Sequence, residues 1–117
     1  MKIKKRYYTW KDFDKDVNTI TKQLELKYFD RIYAPPRGGL VLGVRLSHLL
    51  NLPLHFDKKH ISKYTLIVDE IVDTGKTLEQ YKNHYIACLH WKHKTASFRP
   101  NVFCRKTSEW IVYPWEK

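Results

Sequence analysis

Two neighbouring carboxylates, Asp69 and Glu70, follow the apolar run Leu66-Ile67-Val68 and precede a string rich in anion-binding residue types. Carboxylates do not bind phosphate directly. An acidic pair after a strand suits a diol, a hydrated Mg²⁺ ion or the stabilisation of a developing cation. The string that follows, Asp73-Thr74-Gly75-Lys76-Thr77, can wrap a phosphate. Gly75 permits close backbone approach, Thr74 and Thr77 offer hydroxyls, and the dipole of a following helix favours negative charge. Upstream, Pro35-Pro36-Arg37-Gly38-Gly39 supplies a guanidinium and two peptides without side chains, which suits a second phosphate cluster. Two phosphate loops with acids between them describe a sugar phosphorylated at both ends.

Each piece has a plainer reading when taken alone. A Gly-Gly pair after a strand is ordinarily a turn, and acids after a strand are ordinarily helix caps. The Gly-Lys-Thr triplet also occurs in phosphate-loop NTPases, but those need a glycine five residues before Gly75, and that position is Glu70. The NTPase reading fails. Residues 66–78 as a whole combine three apolar residues, two acids, two more apolar residues and then Asp-Thr-Gly-Lys-Thr-Leu, a combination rarely met by chance.

To converge, both loops must leave the carboxyl ends of strands in one open sheet. The pattern supplies such strands. Trp10, Phe13, Val17, Ile20, Leu24 and Tyr28 recur at steps of three and four, predicting an amphipathic helix over 10–28 capped by Thr9. A strand over 31–34 leads into the first loop, and an apolar helix over 40–50, apolar nearly all round, is expected to be buried against the sheet. Strands are predicted over 52–56 and 64–68, either paired as a hairpin or not neighbours, because 57–63 is too short for a helical crossover. A helix over 77–85, a strand over 86–91, an edge strand over 102–104 and an aromatic ending over 110–115 complete the chain. Strands alternating with helices argue for an α/β fold with a mainly parallel sheet flanked by helices.

Composition bounds what such a fold could serve. The 117 residues fit one domain over 1–117, with 43% hydrophobic and 29% charged residues, so a disordered chain is excluded. The 22 Lys and Arg against 12 Asp and Glu give a net charge of +10, which suits an anionic partner. Nucleic acid is the weaker choice: the basic residues are spread over the N-terminal cluster, 58–63 and 92–106, with no nucleic-acid motif. Cys88 and Cys104 lack CxxC spacing and read as reduced structural thiols of a cytoplasmic protein. Lys2, Lys4, Lys5 and Arg6 are followed by Tyr-Tyr-Thr-Trp, not by the apolar run of a signal peptide, and no apolar segment approaches the ~20 residues of a membrane span.

The string over 66–78 closely resembles the phosphoribosyl-diphosphate (PRPP) signature of type I phosphoribosyltransferases, and Pro36-Arg37-Gly38-Gly39-Leu40 resembles that family's pyrophosphate loop. Tyr8-Thr9-Trp10, Arg45-Leu46-Ser47-His48-Leu49-Leu50 and Trp110-Ile111-Val112-Tyr113-Pro114-Trp115-Glu116 are similar to the short xanthine-guanine (6-oxopurine) enzymes, so the likeness covers nearly the whole chain. The resemblance implies the family's fold, with a small hood from the N- and C-terminal segments. It implies transfer of the phosphoribosyl group from PRPP to xanthine, guanine or hypoxanthine with release of pyrophosphate; a non-catalytic PRPP sensor is the alternative.

By the same resemblance, Asp69 and Glu70 would hold the ribose hydroxyls, with Asp69 reaching Mg²⁺ together with PRPP. Asp73, Thr74, Gly75, Lys76 and Thr77 would hold the 5′-phosphate, and Asp73 would also serve as proton partner to the purine. Arg37, Gly38 and Gly39 would meet the pyrophosphate, often across a non-proline cis peptide. Lys92, with Lys94 as its near neighbour, would donate to the exocyclic oxygen of the base; Trp110 would stack on it, and backbone groups of Ile111 would read its edge. Members commonly form homodimers. They also carry a long flexible loop before the signature strand, and here only 57–63 stands in its place, a basic stub with Lys58, Lys59 and Lys63.

Overall fold

The computed structural model describes residues 3–116; Lys2 of the basic cluster lies outside them. Its centre is a five-stranded parallel sheet in the order β3-β2-β4-β5-β6, with β2 Arg31–Tyr33, β3 Leu54–His55, β4 Thr65–Val72, β5 Tyr85–Trp91 and β6 Val102–Lys106. Helices α1 (Trp10–Leu24) and α2 (Leu40–Leu50) pack on one face. A second sheet of two parallel strands, β1 (Lys5–Tyr7) and β7 (Trp110–Val112), forms the hood from both terminal segments. The strands over 52–56 and 64–68 are therefore not a hairpin. β2 lies between them, and all the pairings are parallel.

Helix α1 starts as expected, with a reciprocal capping box: Asp12 N–H donates to the Thr9 hydroxyl, and Thr9 N–H to the Asp12 carboxylate. It ends at Leu24, not at 28. Beyond that point the chain turns so that Phe29 enters the core while Leu26 and Tyr28 face solvent, which a continued helix would not allow. The buried stripe Phe13, Val17, Ile20 and Leu24 meets Leu42 and Leu46 of α2 and Leu66 and Val68 of β4.

Helix α2 keeps its expected bounds but not its expected burial. Only Leu42, Gly43 and Leu46 are buried; Val44 and Leu49 stay exposed because α1 covers just one side. The opposite face of the sheet is covered differently. Tyr33, Ile67, Ile86 and Cys88 pack under Leu78 and Tyr81 from the link after β4, with Ala96 and Phe98 from the loop after β5 alongside.

The helix expected over 77–85 is absent, and one 3₁₀ turn, Glu79–Tyr81, stands there. Only residues 73–84 connect β4 to β5, which is near the shortest crossover between parallel strands. A phosphate-sized loop uses up half of that length, and burial of Leu78 and Tyr81 pins the remainder. Asp16 clamps the hood to the body: it accepts from the Tyr8 hydroxyl at 2.6 Å and from Arg105 Nε at 2.9 Å. Both cysteines are free thiols, and burial pushes the Cys104 thiol up to about 12. Among the described residues no helix is long and apolar enough to cross a membrane.

Candidate active site

β4 runs through Val72, so Asp69 and Glu70 are strand residues near its carboxyl end and do not follow it. From there the chain turns at Gly75, whose φ of +92° lies in the region that favours glycine. A Cβ at Gly75 would collide with the Ser97 hydroxyl and lie 3.2 Å from the Phe98 ring. The loop after β5 braces the turn from that side: Ser97 N–H donates to the Thr74 carbonyl at 2.9 Å, and the Thr95 hydroxyl donates to the Asp73 carbonyl at 3.0 Å.

The first loop leaves β2 and folds back against β4. The Pro36–Arg37 peptide is cis. A Cβ on Gly38 would lie 2.9 Å from Glu70 Oε1 and 3.3 Å from Asp69 Oδ1; one on Gly39 would lie 2.6 Å from the Val68 carbonyl oxygen. The missing side chains are what let this loop touch the acidic pair. Gly39 itself is buried, and its N–H donates to the Pro35 carbonyl at 3.1 Å, so it shapes the loop while Gly38 faces the open space.

The two loops line one cleft of about 260 Å³, walled by Pro36 and Gly38 on one side, Asp69 and Glu70 between, and Asp73 through Thr77 on the other. Arg37 opens onto an adjoining cleft of about 690 Å³ that shares Gly38 and Glu70 and is closed by Trp115. Burial pushes Asp69 up to about 6. Glu70 rises to about 7, again chiefly by burial, against a hydrogen bond from Trp115 that favours its charged form. Carboxylates desolvated in this way gain from a cation or from hydroxyl donors.

No cluster of three or more His, Cys, Asp or Glu able to hold a metal occurs among the described residues. Two adjacent carboxylates fit a hydrated Mg²⁺ ion held mainly by substrate oxygens, and do not fit an all-protein cage.

Beside the turn at Gly75, Lys92 Nζ is 3.6 Å from Asp73 Oδ2 and 5.6 Å from the centre of the Trp110 ring. Lys92 is mostly buried there, while Lys94 is exposed, which separates the two candidates. Trp110 is half exposed on β7. Its N–H donates to Lys4, and the Val112 carbonyl accepts from Tyr8, so by strand alternation the N–H and C=O of Ile111 point away from β1.

Sequence reasoning missed the supports behind these groups. Trp115 Nε1–H donates to Glu70 Oε2 at 2.8 Å, and the Tyr113 hydroxyl donates to the Glu70 carbonyl at 3.2 Å. His90 Nδ1 lies 2.8 Å from that hydroxyl and carries the proton of the pair when Tyr113 donates to Glu70. Nothing local in the aromatic ending signals that partner. Residues 57–63 line neither cleft: Lys58–His60 form a 3₁₀ turn capped by Asp57, and the His60 carbonyl accepts from Arg31 at 3.0 Å.

The chain matches no family model. It superposes on the purine phosphoribosyltransferase of Pyrococcus horikoshii with a TM-score of 0.86 and 33% identity, covering 98% of this chain and 95% of that one. The xanthine-guanine-hypoxanthine phosphoribosyltransferase of Helicobacter pylori gives 0.81 at 26% identity, covering 96% and 94%. In sequence, the xanthine-guanine phosphoribosyltransferase of Desulfotalea psychrophila is 29% identical over 142 aligned positions, covering 96% of this chain and 88% of that one. That alignment is longer than this chain, so the relative carries segments missing here. With both loops, the acidic pair and nearly full-length likeness in place, the chain belongs to the type I phosphoribosyltransferases.

Proposed function

We propose that residues 1–117 act as one catalytic domain that transfers the phosphoribosyl group of PRPP to a 6-oxopurine, forming the nucleotide and releasing pyrophosphate. The observation that carries this reading is the shared cleft: two loops suited to phosphate face each other across Asp69 and Glu70.

The 5′-phosphate lies against Asp73–Thr77 and the pyrophosphate against Arg37 and Gly38, leaving the ribose hydroxyls to the two acids. As the bond from C1 to pyrophosphate breaks, the leaving group takes the bonding electrons and positive charge develops on the ribose. The carboxylates beneath it stabilise that charge. Asp69, together with oxygens of PRPP, would hold a Mg²⁺ ion, which would supply charge neutralisation of the leaving group. The base attacks C1 through a ring nitrogen and loses a proton, for which Asp73 is the acceptor. Lys92, a donor without acceptor capacity, selects an oxo over an amino group at the position it faces. Trp110 stacks on the ring, and Ile111 offers one donor and one acceptor to its edge.

Incubation with PRPP, Mg²⁺ and a panel of guanine, xanthine, hypoxanthine and adenine tests the reading. Nucleotide formation with an oxopurine but not with adenine is expected. PRPP binding without nucleotide formation from any base would overturn it in favour of a sensor. The short 57–63 link leaves the cleft open, so pyrophosphate release in the absence of base is expected as a side reaction.

A further inference from the structure

Glu70 is held from three directions, and the C-terminal segment supplies two of them. Its Oε2 accepts the Trp115 indole N–H at 2.8 Å, its carbonyl accepts the Tyr113 hydroxyl at 3.2 Å, and its Oε1 lies against Gly38 of the first loop. The indole is itself fixed. It stacks on Tyr113 with ring centres 4.9 Å apart and planes at 15°, and it meets Phe13 edge-on at 5.3 Å and Trp10 at 5.6 Å. Phe13 and Trp10 lie on α1, so the hydrogen bond ties a strand carboxylate to both the hood and the helix layer.

A glutamate side chain has three rotatable bonds, and an unheld one samples several rotamers. With one oxygen bound to a rigid indole, the other is left at the Gly38 face, where the two clefts meet. Trp115 walls the cleft beside Arg37, whereas Trp110 stands beside Lys92 and Asp73. The two tryptophans of one terminal segment therefore address different ends of the site.

We propose that Trp115 is a positioning residue for PRPP: its indole N–H fixes the Glu70 carboxylate in the orientation that receives the ribose hydroxyls. This rests on the assignment of Glu70 to the ribose. It gives the C-terminal segment two separable duties, base stacking through Trp110 and substrate positioning through Trp115. A purely structural Trp115 would affect both substrates alike, because Trp110 and Ile111 ride on the same segment.

The test is steady-state kinetics with PRPP and guanine varied in turn, together with calorimetric titration of PRPP in the presence of Mg²⁺. Trp115→Phe keeps an aromatic ring and loses the N–H. Its KM and Kd for PRPP are expected to rise about tenfold, the scale of one lost hydrogen bond to a charged group, with the KM for guanine unchanged. Trp115→His, which retains a ring N–H, is expected to recover part of the loss. Should Trp115→Phe fold poorly, replacement of Trp115 by 3-benzothienylalanine keeps the indole shape and removes only the donor. Equal rises in both KM values, or no rise for PRPP, would overturn the proposal. Glu70→Gln separates the layers: if it leaves PRPP affinity intact, the ribose assignment falls and this inference with it. If it weakens PRPP while the Trp115 variants do not, the inference alone falls.

Discussion

The first loop runs from β2 straight into α2, an eleven-residue helix beginning at Leu40, whereas the second runs from β4 into a single 3₁₀ turn. The first is shaped by contact: Gly38 and Gly39 let its backbone lie against Glu70 and Val68 of the neighbouring strand. The second is shaped by conformation and outside support, with Gly75 at positive φ and hydrogen bonds from Thr95 and Ser97 across the turn. A helix dipole is thus available to the first loop but not to the second. What the loops have in common is fixed backbone, reached by close packing in one and by lateral bracing in the other.

The difference can be broken at either loop. Gly39→Ala places a methyl group 2.6 Å from a backbone oxygen that cannot yield, so the first loop must shift. A displacement on the order of 1 Å at a positioning element costs about 100-fold, so kcat/KM for PRPP is expected to fall by that factor, measured at saturating base. If activity survives, contact does not shape the first loop.

A variant that touches neither loop tests folding stability instead. His90 is buried and its pKa is lowered to about 4 from 6.5, mainly by desolvation. The unfolded chain therefore binds more protons between these values; stability is full above 6.5 and is lost as pH falls toward 4. From about pH 7.5 to about pH 5 His90 alone accounts for a loss of about 2 kcal/mol, read as the difference between the wild-type and His90→Gln proteins in denaturant unfolding at the two pH values. His90→Gln removes that component, leaving the opposite slope of Asp69 and Glu70, whose raised values favour the folded state at low pH. An unchanged acid slope in the variant would show that His90 does not titrate on unfolding.

At the second loop, Gly75→Ala must hold positive φ with a side chain, a strain of about 1–2 kcal/mol, so KM for PRPP is expected to rise about tenfold. Adding Ser97→Gly relieves the collision but not the φ, and only partial recovery is expected; full recovery would make the second loop steric like the first. The smallest effect belongs to Thr95→Val, which removes the brace on the Asp73 carbonyl. One neutral hydrogen bond is worth about 1 kcal/mol, so KM for PRPP is expected to rise about fivefold with the base KM unchanged.

The residues that line the two adjoining clefts were legible because each carries its chemistry locally: a glycine for a tight turn, hydroxyls and an acidic pair in one, a guanidinium in the other. Apolar periodicity likewise located α1, and a nearly continuous apolar run located α2. The missing helix after Thr77 was illegible because periodicity does not report how far the next strand lies, and a twelve-residue crossover leaves no room. The exposed side of α2 was hidden for a similar reason, as composition does not say which neighbours arrive. Trp115, Tyr113, Thr95 and Ser97 act through partners at least 20 residues away, in contacts made only by the folded chain.

A crystal structure of the protein with PRPP and Mg²⁺ most directly tests whether the two loops hold opposite ends of one substrate. The expected result is the 5′-phosphate against the amides of 73–77, the pyrophosphate against Arg37 and Gly38, and the ribose hydroxyls on Asp69 and Glu70. Both phosphate groups on the same loop, or a pentose bound away from the acidic pair, would contradict it.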